Sequence, residues 1–130
     1  MVIKEDILEY ALKSTGSELN SIDMSELDDV MIALTNYNIF INAQLGRLNA
    51  QAEFLENNLN KQMAEKVSRM GNGGFAERKI LAISTVDKFN ESDNNIKMVR
   101  SKINMLQPIS NSLRIKIDCV KRIYDRRARQ

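Results

Sequence analysis

Lysine and arginine supply most of the side chains in this 130-residue chain that could bind another molecule. One group of them surrounds a glycine-rich segment at 71–74, and a second group lies in the last ten residues. Clustered positive charge binds polyanions, because each phosphate contact releases condensed counterions. The candidate phosphate-binding residues are Lys61, Lys66, Arg69, Arg78, Lys79, Lys121, Arg122, Arg126 and Arg127.

Residues suited to catalysis are scarce. The chain has no histidine, so it lacks the commonest general base and a preferred zinc ligand. Its one cysteine, Cys119, has neither a histidine nor a second cysteine to activate it, and we interpret it as a buried or bystander thiol. The segment "GNGG" at 71–74 is no phosphate loop, since no strand precedes it and no Lys-Ser/Thr pair follows. We therefore expect no enzyme, no metal and no other cofactor.

The net charge is +2, but charge is distributed unevenly along the chain. Residues 1–30 carry two basic and eight acidic groups, whereas residues 107–130 carry seven basic and two acidic groups. This gradient indicates an anionic partner for the basic end, or contact between the acidic end of one protomer and the basic end of another. The single cysteine, the lack of a secretory signal and the lack of a long apolar run predict a cytoplasmic protein that does not contact membranes.

The elements that must position these residues are helical. One proline and five glycines leave long stretches uninterrupted. Residues 1–24 are predicted to form an acidic N-terminal helix that stops near Gly16, followed by a polar connector. Residues 25–130 are predicted to form a long helical hairpin with a glycine turn at 71–74 and a basic C-terminal helix. Ser25, with Asp28 three residues later, is predicted to cap the first long helix.

Two apolar seams run through the hairpin with alternating spacings of three and four residues, from Leu27 to Leu59 and from Ile96 to Tyr124. Asn38 interrupts the first seam. It is expected either to fix the register or oligomeric state, or to point outward at a local irregularity. The polar patch at 90–95 is expected to weaken the second arm. Pro108 is expected to kink that arm or to begin a new helix.

Both arms carry more apolar surface than a two-helix hairpin can bury, which predicts an all-α, homo-oligomeric coiled-coil assembly. A monomeric three- or four-helix bundle is the alternative. The predicted oligomer contacts are Leu34, Ile41, Leu45, Leu48, Ile103, Leu106, Leu113, Ile117, Val120 and Tyr124.

The order of these features resembles the UvsY-like family of phage recombination mediators. The resemblance covers roughly residues 30–125 and rests on "RLNAQ" at 47–51, the basic stretch, "GNGG", and the run "IKMVRSKINMLQPISNSLRIKIDCVKRIYD". It implies a small helical oligomer in the host cytoplasm that binds single-stranded DNA without sequence preference. Its implied partners are a RecA-like recombinase, which it helps to load, and the single-strand-binding protein that coats the DNA.

The chain departs from that family at the DNA-contacting positions. Counted from "RLNAQ", these positions fall on Asn57 and Leu59; counted back from the turn, they fall near Met63 and Glu65. Only the presence of a basic cluster before the turn is therefore carried over. A coiled-coil scaffold or adaptor that binds no nucleic acid is the alternative function, and a helical regulator of duplex DNA or RNA is a third.

Overall fold

The computed structural model describes the backbone over residues 4–70 and 75–130, and side chains over 7–66 and 89–130. The prediction of an all-α protein is confirmed within these ranges. A long helix pair packs as a hairpin, accompanied by short N-terminal helices. The predicted glycine turn at 71–74 lies outside the described residues. The helices, in chain order, are α1 (Lys4–Lys13), α2 (Gly16–Ser21), α3 (Met24–Met70) and α4 (Phe75–Ala128).

The N-terminal segment is more helical than the sequence indicated. The predicted polar connector contains α2, whose first turn is capped by Thr15: its side-chain oxygen accepts a hydrogen bond from the Glu18 amide at 3.2 Å. The prediction that Ser25 caps the next helix is wrong. Asp23 Oδ1 accepts from the Glu26 amide at 2.8 Å, so the cap and the start of α3 lie two residues earlier than a cap at Ser25 would give. Aspartate is a strong N-cap because its carboxylate also interacts favourably with the positive N-terminal end of the helix dipole.

The second long helix runs without interruption through both predicted weak points. In the polar patch, Lys97 Nζ lies 3.0 Å from Asp93 Oδ2, one helical turn away. Pro108 is exposed and lies inside α4, so the alternative of a new helix starting there is wrong. A proline removes one backbone donor, and the many neighbouring hydrogen bonds of a 54-residue helix outweigh that loss.

Contacts divide the chain into two packing units. The first unit, Met1–Gln44 with Leu106–Gln130, draws its core from all four helices. Its apolar side chains pack between α3 and α4 and beneath the N-terminal helices. This packing excludes water more completely than in the other unit. The buried apolar residues of this unit are Ala11, Leu19, Leu27, Val30, Leu34, Ile41, Leu113, Ile117, Val120 and Ile123.

The second unit, Leu45–Met105, has a core made by α3 and α4 among its described residues. Its buried apolar residues are Leu45, Ala52, Ile96, Val99 and Ile103. Beside this core, the Arg100 guanidinium donates to Glu56 Oε1 from Nε at 2.9 Å and from Nη2 at 2.7 Å. This ion pair joins the two helices at the surface of the unit.

The ten residues predicted to contact another copy lie largely inside a single chain. The seams of α3 and α4 face each other, so the hairpin itself satisfies the heptad pattern. The fully buried members of this set are therefore already used within one chain. Of the ten, Leu34, Ile41, Leu45, Ile103, Leu113, Ile117 and Val120 are buried, whereas Leu48, Leu106 and Tyr124 are partly buried.

Asn38 takes part in a polar link between the two long helices. It is partly buried, and its Oδ1 accepts from Asn42 Nδ2 at 3.2 Å. Asn42 Oδ1 in turn accepts from the hydroxyl of Ser110, a buried residue of α4, at 2.8 Å. This chain of hydrogen bonds satisfies a polar position in each seam and ties residue 42 to residue 110.

Candidate nucleic-acid interface

The outward side of the last turns of α4, together with the residue that follows the helix, carries a row of cations, which we call the basic face: Arg114, Lys121, Arg122, Arg126 and Arg129. All five side chains are exposed. They recur mostly at spacings of three, four and seven residues, which places them on one side of a helix. Asp118 and Asp125 lie on the same side, so the face holds five positive and two negative charges.

None of the ion pairs among the described side chains involves the basic face. Those pairs join Lys13 to Glu9, Lys97 to Asp93 and Arg100 to Glu56. Cations near a helix C-terminus are favoured by the helix dipole, which explains part of this arrangement. The dipole does not require five exposed cations along about 22 Å of helix, at 1.5 Å per residue. The face therefore presents positive charge that an external polyanion can neutralise.

Aromatic side chains are nearly missing beside these cations. Residues 106–130 contain one aromatic residue, Tyr124. It is partly buried, and its hydroxyl donates a hydrogen bond to the Asp28 carboxylate of α3. Burial and this hydrogen bond raise the pKa of Tyr124 to about 12. Its ring is committed to the contact with α3, so the face can hold phosphates but offers no stacking platform for bases.

Arg127 differs from its neighbour Arg126 although both were predicted to contact DNA. Arg127 is partly buried, and its Nη2 donates to the backbone carbonyl oxygens of Ile22 at 2.6 Å and Asn20 at 3.1 Å. These carbonyls lie at the C-terminus of α2, where helix carbonyl groups lack partners within the helix. Arg127 therefore holds the N-terminal segment, whereas Arg126 remains on the basic face.

Lys116 makes a similar contact with α1, the helix that precedes α2. Its ammonium donates to the carbonyl oxygen of Leu12, near the C-terminal end of α1. Burial lowers the pKa of Lys116, and the nearby Cys119 and Glu18 side chains partly offset that effect. Two cations of α4 thus bind the carbonyl ends of two N-terminal helices.

The predicted basic cluster around the turn is described only in part. Lys61 is exposed on α3, and Lys66 is partly buried. The side chains of Arg69, Arg78 and Lys79 lie outside the described residues. Lys61 and Lys66 belong to the Leu45–Met105 unit, whereas Lys121, Arg122 and Arg126 belong to the unit that contains the C-terminal end of α4.

Two apolar clefts flank α1 within the first unit. The larger, about 720 Å³, lies between the N-terminal helices and α4, and its lining includes Leu19, Leu113, Ile115 and Cys119. The smaller, about 500 Å³, lies between α1 and α3, with Ile32 in its wall.

Across the described residues, no group of acidic, histidine or cysteine side chains is arranged to hold a metal ion. No helix in the same portion is long and apolar enough to cross a bilayer.

Sequence reasoning omitted Arg114 and Arg129 from the candidate contacts and could not separate Arg126 from Arg127. The helical spacing from Arg114 through Asp118 to Arg122 was a usable signal for the first omission. No sequence signal separates Arg126 from Arg127, because the partners of Arg127 are backbone carbonyl groups.

Comparison of the chain with protein families, with curated proteins and with solved structures finds no match.

Proposed function

We infer that this chain is a recombination mediator that binds single-stranded DNA non-specifically through its phosphates and assists the loading of a RecA-like recombinase. The observation that carries the binding step is the basic face, with its five exposed cations outside the ion pairs of the described residues. The recombinase and the single-strand-binding protein that coats the DNA are proposed as partners because the chain resembles UvsY-like mediators.

A single strand suits this face better than a duplex. The cations form one ridge along a helix, and a flexible strand can bend to follow a ridge. A helix that reads duplex DNA enters the major groove and places hydrogen-bonding side chains against base edges. The exposed side chains here are mostly long cations, which bind phosphate without reading sequence.

Fluorescence anisotropy with a labelled single strand and a matched duplex, repeated across a salt series, tests the binding step. Five phosphate contacts on a single strand give a slope of log affinity against log salt of about −3.5, at about 0.7 per contact. We expect tighter binding to the single strand with a slope at least that steep. Failure to bind at about 50 mM salt, or equal affinity for the duplex, would refute the proposal.

The loading step has its own assay. A RecA-like recombinase hydrolyses ATP when it assembles on DNA, and a coat of single-strand-binding protein delays that assembly. Adding this chain to coated DNA is expected to shorten the delay. A chain that binds the single strand but leaves the delay unchanged would retain the binding function and lose the mediator role.

Assembly with other copies is the second candidate function, and exposed apolar side chains on α3 and α4 favour it. Ile39 is 62% exposed, Ile32 59%, Phe40 52% and Ile115 72%. These residues lie outside the internal seam, so a homo-oligomer would use them in place of the seam. Sedimentation of the wild type and of Ile39→Ser distinguishes the cases: a lower mass for the variant supports assembly through this surface. A monomeric wild type refutes it.

A further inference from the structure

The N-terminal arm, defined as residues 4–22, is attached to α4 through its carbonyl ends. Lys116 binds the Leu12 carbonyl at the end of α1, and Arg127 binds the Asn20 and Ile22 carbonyls at the end of α2. Both donors are cations of the helix that carries the basic face. Both side chains are partly buried against the arm, and the N–H groups that bind its carbonyls are not free to bind phosphate.

The apolar attachment of the arm is small. Among its described side chains the buried apolar residues are Ala11 and Leu19; Ile7, Leu8 and Ile22 are partly buried, and Tyr10 and Leu12 are exposed. The two clefts beside α1 show that the arm does not fill the surface beneath it. A segment held by few buried apolar side chains opens locally at a lower free-energy cost than the long helix pair beneath it.

The arm is also acidic. It contains four acidic and two basic residues, so it repels a polyanion that approaches α4. Opening the arm would remove this negative charge and release two cations in the same movement.

We propose that the N-terminal arm is an autoinhibitory strap that withholds Lys116 and Arg127 from single-stranded nucleic acid until it opens. This inference rests on the proposed binding function and adds a regulatory step to it. In the closed state the strand contacts the basic face alone. In the open state a strand that continues around α4 also contacts Lys116 and Arg127, on the side of the helix that the arm had covered.

A single substitution opposite the native Cys119 can lock the arm reversibly. A Cβ atom built at Gly16, the first residue of α2, would lie 3.6 Å from the Sγ of Cys119 on α4. No described glycine has a positive φ, so cysteine is compatible with the backbone at this position. In a disulfide each Cβ lies about 3 Å from the partner's Sγ, so a shift of roughly half an ångström at Gly16 allows the bond to form. Because Cys119 is the only native cysteine, Gly16→Cys creates a single possible intramolecular disulfide.

The experiment measures single-strand affinity of Gly16→Cys by anisotropy, oxidised and then reduced in the same sample, across a salt series. The oxidised protein has a closed arm and should lack two phosphate contacts. Its salt slope should be smaller by about 1.4, which corresponds to about 25-fold weaker binding at 0.1 M salt. Reduction should restore the wild-type slope and affinity. Gly16→Ser, treated identically, should respond to neither oxidation nor reduction.

Each other result has a distinct meaning. Equal affinity and slope in the oxidised and reduced states overturn the strap and leave the proposed binding function intact. Failure of the disulfide to form in monomeric protein contradicts the packing of α2 on α4 and overturns the strap as well. Absence of binding by the wild type and by both redox states overturns the binding function and, with it, the strap.

Discussion

The two packing units are built from the same pair of long helices but protect their cores to different degrees. In the Met1–Gln44/Leu106–Gln130 unit the N-terminal helices cover the pair, and Leu34 is 0% exposed. In the Leu45–Met105 unit the described core comes from α3 and α4, and Ile103 keeps 8% of its surface exposed. An apolar seam positions two helices, but a further layer is needed to exclude water from its edges.

Cations also behave differently in the two units. In the first, Lys116 and Arg127 bind backbone carbonyl groups and fix the position of other helices. In the second, Arg100 pairs with Glu56 while both side chains remain partly exposed to solvent. The sequence presents all three as basic residues on one helix, and only their partners distinguish structural cations from surface ones.

The largest effect should come from the same substitution made in each core. Leu34→Ala removes a fully buried side chain and should lower the free energy of unfolding by about 3–5 kcal/mol. Leu45, the buried leucine in the core of the other unit, keeps 6% of its surface exposed, so Leu45→Ala should cost about 2–3 kcal/mol. Denaturant unfolding of the two variants measures the difference. Equal losses would contradict the unequal protection of the two cores.

Next in size is the loss of the Arg127 contacts. Arg127→Gln removes charge-assisted hydrogen bonds to two carbonyl groups and should lower the local stability of α2 by about 1.5–3 kcal/mol. Hydrogen exchange of the α2 amides should become faster. Arg126→Gln is the matched control: its side chain is exposed on the basic face, and it should leave exchange in α2 unchanged. Faster exchange in both variants would refute a specific role for Arg127.

A smaller effect should appear at high pH through Tyr124. Its pKa is raised from the usual 10 to about 12, because burial and the Asp28 hydrogen bond favour the neutral phenol. The contribution of Tyr124 is therefore complete below pH 10 and is lost as pH rises through 12. Wild type should lose more stability than Tyr124→Phe when denaturant unfolding is compared at pH 9 and pH 11.5. Parallel losses in both proteins would exclude this contact as the cause.

The smallest effect belongs to the surface ion pair of the second unit. Glu56→Gln should cost less than about 1 kcal/mol, since exposed ion pairs contribute little and are screened by salt. The cost should shrink further in 1 M salt. Glu53→Gln, at an exposed position on the same helix, is the control. A loss above 2 kcal/mol that persisted in high salt would show that Arg100 and Glu56 hold the helices as strongly as the core does.

Much of the hairpin could be predicted, because heptad spacing reports directly which side of a helix is buried. Leu34, Ile41, Leu113 and Val120 were identified as seam residues, and all four are buried. Their partner could not be identified, since the same spacing suits a helix of the same chain or of another copy.

Local competition explains the errors near the N-terminus. Asp23 and Ser25 are both capable caps, and their choice depends on where the chain leaves α2. The structural role of Arg127 depends on backbone carbonyl groups more than a hundred residues away, which no side-chain pattern records.

The salt dependence of single-strand binding by the Arg122→Gln/Arg126→Gln double variant tests the central claim most directly. Both side chains are exposed on the basic face, so their removal should leave the fold intact. The slope of log affinity against log salt should fall by about 1.4 relative to wild type, the value for two lost phosphate contacts. Lys13→Gln, which changes a cation paired to Glu9 on α1, should leave the slope unchanged. A double variant with the wild-type slope would show that the basic face does not bind the strand.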